Sequence, residues 1–346
     1  MEKRTEALSG IKGLAEYVTK PFYRKSLGLP KGVEEEYSLL AQGEYNRNYQ
    51  FTHPVTGQRL VLRVNCGSQM HLKRQIDYEY KALCLLAPSG RTPRPFYVDG
   101  SLLHIPHGIL VMEWLPGSSL DYRKAVDLNG AASCLADIHS MKVVEGCGLL
   151  QPKDPLRAVL EECESMVQIY MDWGQGDPLL KKRLRSMLDL GWKRLEHGCG
   201  AVGGSIVNTE LNSTNFLMNG SEGTDYLVDW EKPLLGDPAQ DLGHFLAPTT
   251  TFWKTDVIFT HQEMEQFLER YIEYARGRMD VKGLRERVYA YIPITCLRGI
   301  TWCAMAWVEY HKPDRLLINP STLDKLGQYL DQGFLDGIDQ LLREDP

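Results

Sequence analysis

The sequence predicts an α+β protein of two lobes, a small antiparallel-sheet lobe followed by a larger, mainly helical one. Three observations lead there. Between Tyr37 and Val64 the chain alternates the runs YSLL, YNRNYQF and RLVLRV with turn signals at Gln42-Gly43 and His53-Pro54-Val55-Thr56-Gly57, the pattern of an antiparallel meander. A continuous apolar run, GILVMEW, then ends at Leu115-Pro116-Gly117, the strongest punctuation in the chain. Beyond it apolar residues recur at helical steps over 124–140, 155–173, 178–197, 261–276 and 283–311, and SIVN, NFLMN and DYLVDW read as strands. The expected division is a helical extension over 1–36 packed on the first lobe, a sheet lobe over 37–113, and a helical lobe over 114–346.

The remaining elements follow from spacing. Leu8, Ile11, Leu14 and Val18 lie on one helical face, which predicts a helix over 5–18. A second helix is expected over 71–86, stopped by Pro88-Ser89-Gly90. The most apolar stretch, Ile292 to Val308, is broken by Arg298 and falls short of the ~20 residues that cross a bilayer, so it reads as a buried helix.

Composition narrows the class. With 346 residues, 43% hydrophobic and 24% charged, the chain can bury real cores and is neither fibrous nor disordered. A net charge of −6 gives no global reason to bind nucleic acid, so any phosphate site must be local. The first residues carry charges and lack the apolar core of a secretory leader. Eight cysteines form no CxxC pair, which suits free thiols in a reducing cytoplasm. No membrane contact is expected.

Phosphoryl transfer needs a cover over the phosphates, a cation on them, metal ligands, and a group that orients or deprotonates the attacking hydroxyl. The segment from Val207 to Glu231 offers an acid at Glu210, an amide at Asn215 and a second acid at Asp229 on the following strand, in the order of a kinase catalytic loop and metal strand. Glu210 could accept a proton, while the oxygens of Asn215 and Asp229 suit Mg²⁺. Each residue taken singly has a plain structural reading, because Asn, Asp and Glu are common in turns and surface loops.

Read together, these segments resemble the aminoglycoside phosphotransferase and choline kinase family. That family has a His-x-Asp-Leu-x-x-x-Asn loop, a strand bearing Asp, and then Gly-Asp-Pro-x-x-Asp-Leu, which stands intact here from Gly236 to Leu242. The likeness is collinear from about residue 37 to 246. Gln42-Gly43-Glu44-Tyr45-Asn46-Arg47 looks like the nucleotide loop, Val61-Leu62-Arg63 like the third strand, and Glu79 like the helix glutamate. Val111-Met112-Glu113 looks like the hinge, and Leu135 to His139 like the first long helix of the second lobe.

The resemblance implies a protein-kinase-like fold, a small-molecule acceptor, ATP or GTP bound between the lobes, and Mg²⁺ on Asn215 and Asp229. Gly43, Asn46, Arg63, Glu79, Met112, Glu113 and Leu115 would bind the nucleotide, and Glu210 would be catalytic. It puts the acceptor pocket at Glu231 and at Trp302, Trp307 and Glu309 of the late helix, where core packing is the plainer reading. Two departures bear on activity. Arg63 stands where the family has lysine, and Asn208-Thr209-Glu210 stands where it has His-x-Asp, which places the carboxylate on a longer arm. They motivate an alternative, a catalytically weak nucleotide-binding pseudokinase that regulates a partner.

Other motifs carry less. The run Gly198 to Gly203 spells GxGxxG but follows a helix pattern and precedes a strand, the reverse of a dinucleotide fold, and no GxxxxGK[ST] exists. His104, His107, His139 and His197 lack metal-ligand spacing. The basic face Lys181, Lys182, Arg183, Arg185, Lys193 and Arg194 reads as a solvated helix face.

Overall fold

Burial follows the alternation expected of strands. In a computed structural model, which describes residues 6–43, 45–68, 70, 72–143, 146–196, 203–312 and 320–344, strand β2 (Asn46–Thr52) buries Tyr49 and Phe51 on one face and Asn46 on the other. Strand β3 (Arg59–Asn65) is buried at every position after the first, as a central strand should be. With β1 (Ser38–Gln42), β4 (Pro95–Asp99) and β5 (Gly108–Glu113) these form a five-stranded antiparallel sheet in the order β1-β2-β3-β5-β4. Glu44, His71, His197, Cys199 and most of the GxGxxG run lie outside the described residues.

The helix expected over 5–18 is broken. Gly13 takes φ +84°, a left-handed conformation that interrupts the periodic run, and short helices follow at Leu14–Tyr17 and Pro21–Leu27. The apolar face survives the break: Leu8, Ile11, Leu14, Tyr17, Val18 and Tyr23 share a core with Tyr49, Phe51, Leu62 and Val111 of the sheet. The second helix begins at Gln75 rather than 71 and runs to Leu86, with a 3₁₀ turn over Ala87–Ser89.

The chain divides into two compact units, one comprising 1–119, 143–149 and 216–233, the other 120–142, 150–215 and 234–346. The first holds the sheet and a small hairpin, β7 (Phe216–Leu217) with β8 (Tyr226–Leu227). Ser118 and Met218 exchange two backbone hydrogen bonds there, at 3.0 and 2.7 Å. Gly117 makes this close approach possible, since its φ is +140° and a Cβ would stand 2.7 Å from the Leu217 carbonyl carbon. Gly117→Ala is therefore expected to cost ~1–3 kcal/mol, read as a lower denaturation midpoint.

The second unit contains the five expected helices at Ala125–His139, Pro155–Asp172, Pro178–Leu195, His261–Ala275 and Leu284–Tyr310. Four more, Pro238–Leu246, Pro248–Lys254, Pro320–Leu330 and Gln332–Arg343, were not expected. The helix Leu284–Tyr310 packs against Pro155–Asp172 and Pro238–Leu246, which buries the apolar stretch as anticipated. Strand β6 (Ser205–Val207) pairs antiparallel with β9 (Leu234–Gly236).

Several of the basic residues of helix Pro178–Leu195 are engaged within the unit. Lys181 donates to the Met171 and Trp173 carbonyls, Arg183 pairs with Asp336, and Arg185 with Glu164 and Asp189. The seven described cysteines are free thiols. No described helix is long and apolar enough to cross a membrane.

Candidate active site

In the first unit the candidates converge on Arg63. β3 points its side chain inward, where Nε faces Glu79 Oε2 at 3.1 Å and Nη2 meets Asp229 Oδ1 at 2.7 Å and Glu231 Oε2 at 3.3 Å. Burial opposes the charge of Arg63, but the three carboxylates outweigh it and hold the guanidinium above its ordinary pKa. Burial pushes the Glu79 carboxyl up to about 7, against the pull of Arg63 and helped by Asp229 and Glu231.

Asp229 departs from expectation. Strand β8 ends at Leu227, and Asp229 lies beyond it in a left-handed conformation, φ +64°. For a non-glycine residue this costs ~1–3 kcal/mol and persists only where the surroundings impose it. Here the fully buried Trp230, whose Nε1 donates to the Leu227 carbonyl at 3.0 Å, anchors the turn.

The following residues are tied to the sheet and helix. Asn46 donates to the Glu231 carboxylate, Gln75 to the Glu231 carbonyl, and Tyr78 to the Pro233 carbonyl. Glu231, expected in the acceptor pocket, is thus grouped with Arg63 and Asn46. The other first-unit candidates lie at the ends of strands. Gly43 donates its N–H to the Asn46 carbonyl at 2.9 Å, between β1 and β2. Met112 is buried in β5, Glu113 ends that strand, and Leu115 follows it half-buried. The Glu113 and Trp114 N–H groups donate to the Arg94 and Arg59 carbonyls.

In the second unit the loop after β6 is built around Asp241, a residue sequence reasoning had only as part of a motif. Its fully buried carboxylate accepts from the N–H groups of Asn208 and Thr209, both at 2.7 Å, and lies 3.1 Å from His139 Nε2. The other ring nitrogen, Nδ1, lies 2.8 Å from the Tyr271 hydroxyl. Thr209 is held at φ +71°, a turn its two flanking bonds to Asp241 impose.

Glu210 follows, with its own backbone fixed at both ends. Its N–H donates to Asn208 Oδ1 at 3.1 Å and its carbonyl accepts from Asn215 Nδ2 at 2.8 Å. The earlier aspartate of the same motif, Asp237, caps helix Pro238–Leu246 and pairs with Arg287 at 2.6 Å.

The donors suit Mg²⁺, which favours hard oxygen ligands and is held by one or two side chains together with substrate phosphates. Asn215 spends its nitrogen on Glu210, which leaves its oxygen to a metal. Among the described residues no group of three or more His, Cys, Asp or Glu side chains is arranged to hold an ion. The late-helix candidates pack with their neighbours. Trp302, Trp307 and Tyr310 join a satellite apolar cluster with Phe252, Trp253 and Tyr329, Trp302 lies edge-on to Trp253 at 5.3 Å, and Glu309 pairs with Lys312 at 2.6 Å.

The model of a phosphotransferase enzyme family matches residues 36–291, well over half of the chain. Similar solved structures include an ethanolamine kinase of Plasmodium vivax, with TM-score 0.64 and 13% identity over 97% of this chain and 95% of that one. A spectinomycin phosphotransferase in complex with ADP and spectinomycin gives 0.58 and 13% over 89% and 92%. An aminoglycoside 2′-phosphotransferase in complex with GDP gives 0.61 and 15% over 95% and 100%. At these identities the likeness establishes the two-lobed, kinase-like fold.

Proposed function

This chain belongs to the phosphotransferase enzyme family, and we propose that it transfers the γ-phosphate of ATP or GTP to a hydroxyl of a small molecule. The observation that carries the reading is the Glu210 loop, whose backbone is held by Asp241, Asn208 and Asn215 so that one carboxylate is presented from a fixed position. Such a group can orient the acceptor hydroxyl and take its proton. The nucleotide complexes of the spectinomycin and aminoglycoside enzymes support nucleotide use. The base would lie on the backbone of Met112 to Leu115, with Gly43 and Asn46 in the loop over the phosphates and Arg63, braced by Glu79, reaching a phosphate oxygen. Asp229 and Asn215 would hold Mg²⁺, which neutralises charge on the transferred group when bound. Trp302, Trp307 and Glu309 are offered as acceptor contacts, and the free thiols suit a reducing cytoplasm.

The test is a panel of sugars, hydroxy acids and amino alcohols scored for nucleotide consumption, with the Asp229→Asn protein as blank. Consumption above the blank with one class is expected, and calorimetry showing no nucleotide binding in Mg²⁺ would overturn the proposal. Asp229→Ala should weaken Mg²⁺-dependent nucleotide binding by ~10-fold or more and Asn215→Ala by less, because a carboxylate brings negative charge to Mg²⁺ and an amide does not. Equal, negligible effects would remove the metal assignment.

A further inference from the structure

The Arg63 guanidinium is used at two edges. Nε lies 3.1 Å from Glu79 Oε2 in an ion pair without a hydrogen bond, while Nη2 donates to Asp229 and Glu231, and only 5% of the side chain is exposed. Lysine, with a single nitrogen at the end of its arm, cannot serve both edges in this way. Asp229 is also the carboxylate assigned to Mg²⁺ above, and the present inference rests on that reading.

We infer that Arg63 is a positioning residue that latches Asp229, and that Mg²⁺ and the nucleotide phosphates displace the latch in one exchange. Asp229 would go to the metal, the released Nη2 edge would go to a phosphate oxygen, and Nε would stay beside Glu79. Either ligand arriving alone leaves a charge less well paired. Mg²⁺ alone would separate Arg63 from Asp229 and leave the nearly buried Nη2 edge with Glu231 alone, at 3.3 Å, at a desolvation cost. Phosphate alone would draw Arg63 away and face Asp229 and Glu231, two carboxylates repelling it. Arriving together, every charge has a partner. The two ligands must then favour each other reciprocally.

The surroundings restrict the exchange to one arginine edge. Glu231 stays tied through Asn46, which itself accepts from Asn65 at 2.9 Å, and through its carbonyl to Gln75. The segment carrying Asp229 therefore keeps its place when the ion pair opens.

Calorimetric titration of Mg²⁺ alone into the nucleotide-free wild-type and Arg63→Lys proteins tests this. Arg63→Lys is expected to bind Mg²⁺ ~10-fold more tightly than wild type, because its latch is weaker. Mg²⁺ should improve wild-type affinity for ATP or GTP, relative to EDTA, by ~10²-fold, and that of Arg63→Lys by ~10-fold, within the usual range of coupling between sites. Equal Mg²⁺ affinities, no Mg²⁺ uptake by either protein, or equal coupling factors would overturn the latch.

Should Arg63→Lys fail to fold by circular dichroism, wild type alone decides. Mg²⁺ binding as tightly without nucleotide as with it, or no measurable Mg²⁺ uptake without nucleotide, would overturn the inference, and measurable Mg²⁺ binding that nucleotide tightens supports it. Absence of nucleotide binding under every condition would instead remove the proposed function, while the comparison of Mg²⁺ alone still tests the latch.

Discussion

Asp241→Asn is expected to lower stability by about 3–5 kcal/mol and turnover by ~10²-fold or more, although Asp241 sits beneath the Glu210 loop rather than in it. The carboxylate accepts from two backbone N–H groups and from His139, all in a fully buried site. An amide of the same size keeps one oxygen and replaces the other with a donor. One of those three donors then faces another donor without water to relieve it, and each buried unsatisfied group costs about 1–3 kcal/mol.

The loss of the charge weakens the remaining bonds as well. Thr209 has no further reason to hold φ +71°, so the turn relaxes and Glu210 moves. The check is a denaturation curve beside single-turnover kinetics at a temperature where both proteins are folded. A variant with the wild-type midpoint and wild-type turnover would show that the loop does not depend on this carboxylate.

Much of this site was readable along the chain because its parts are local. Asn208, Glu210 and Asn215 lie within eight residues, and Asp237 and Asp241 occupy an intact motif whose first member caps a helix that begins at proline. What could not be read came from distance and backbone conformation. The partners of Arg63 at Asp229 and Glu231 are 166 and 168 residues away, a separation at which spacing carries no information.

Periodicity placed one helix over 5–18 because it registers which faces are apolar and is blind to a left-handed glycine within the run. It extended the strand of DYLVDW through Asp229 for the same reason. The helices Pro238–Leu246 and Pro248–Lys254 span nine and seven residues, too few for a helical period to stand out. Strand β4 begins at a proline after a turn-rich stretch, a position where proline is tolerated but masks the strand signal.

Glu210→Gln is expected to leave nucleotide affinity nearly unchanged and to lower turnover by ~10²-fold, the result of neutralising a general base without changing its size. Its backbone bonds run through N–H and carbonyl, to Asn208 and Asn215, so the change to glutamine leaves those two bonds in place. Binding and chemistry should therefore separate in this variant, with the dissociation constant for nucleotide constant as the single-turnover rate falls. Glu210→Asp is the sharper experiment, because it restores the residue the family carries and shortens the arm by one methylene. If the loop is built around the longer arm, the shorter one misplaces the carboxylate by ~1 Å and activity falls by ~10²-fold. If the longer arm is instead the residue of a weakened enzyme, the change raises activity from a low base, and the pseudokinase alternative gains its first support. A Glu210→Gln protein that turns over substrate at the wild-type rate would discard the catalytic role altogether, and the fixed loop would then be read as a structural turn.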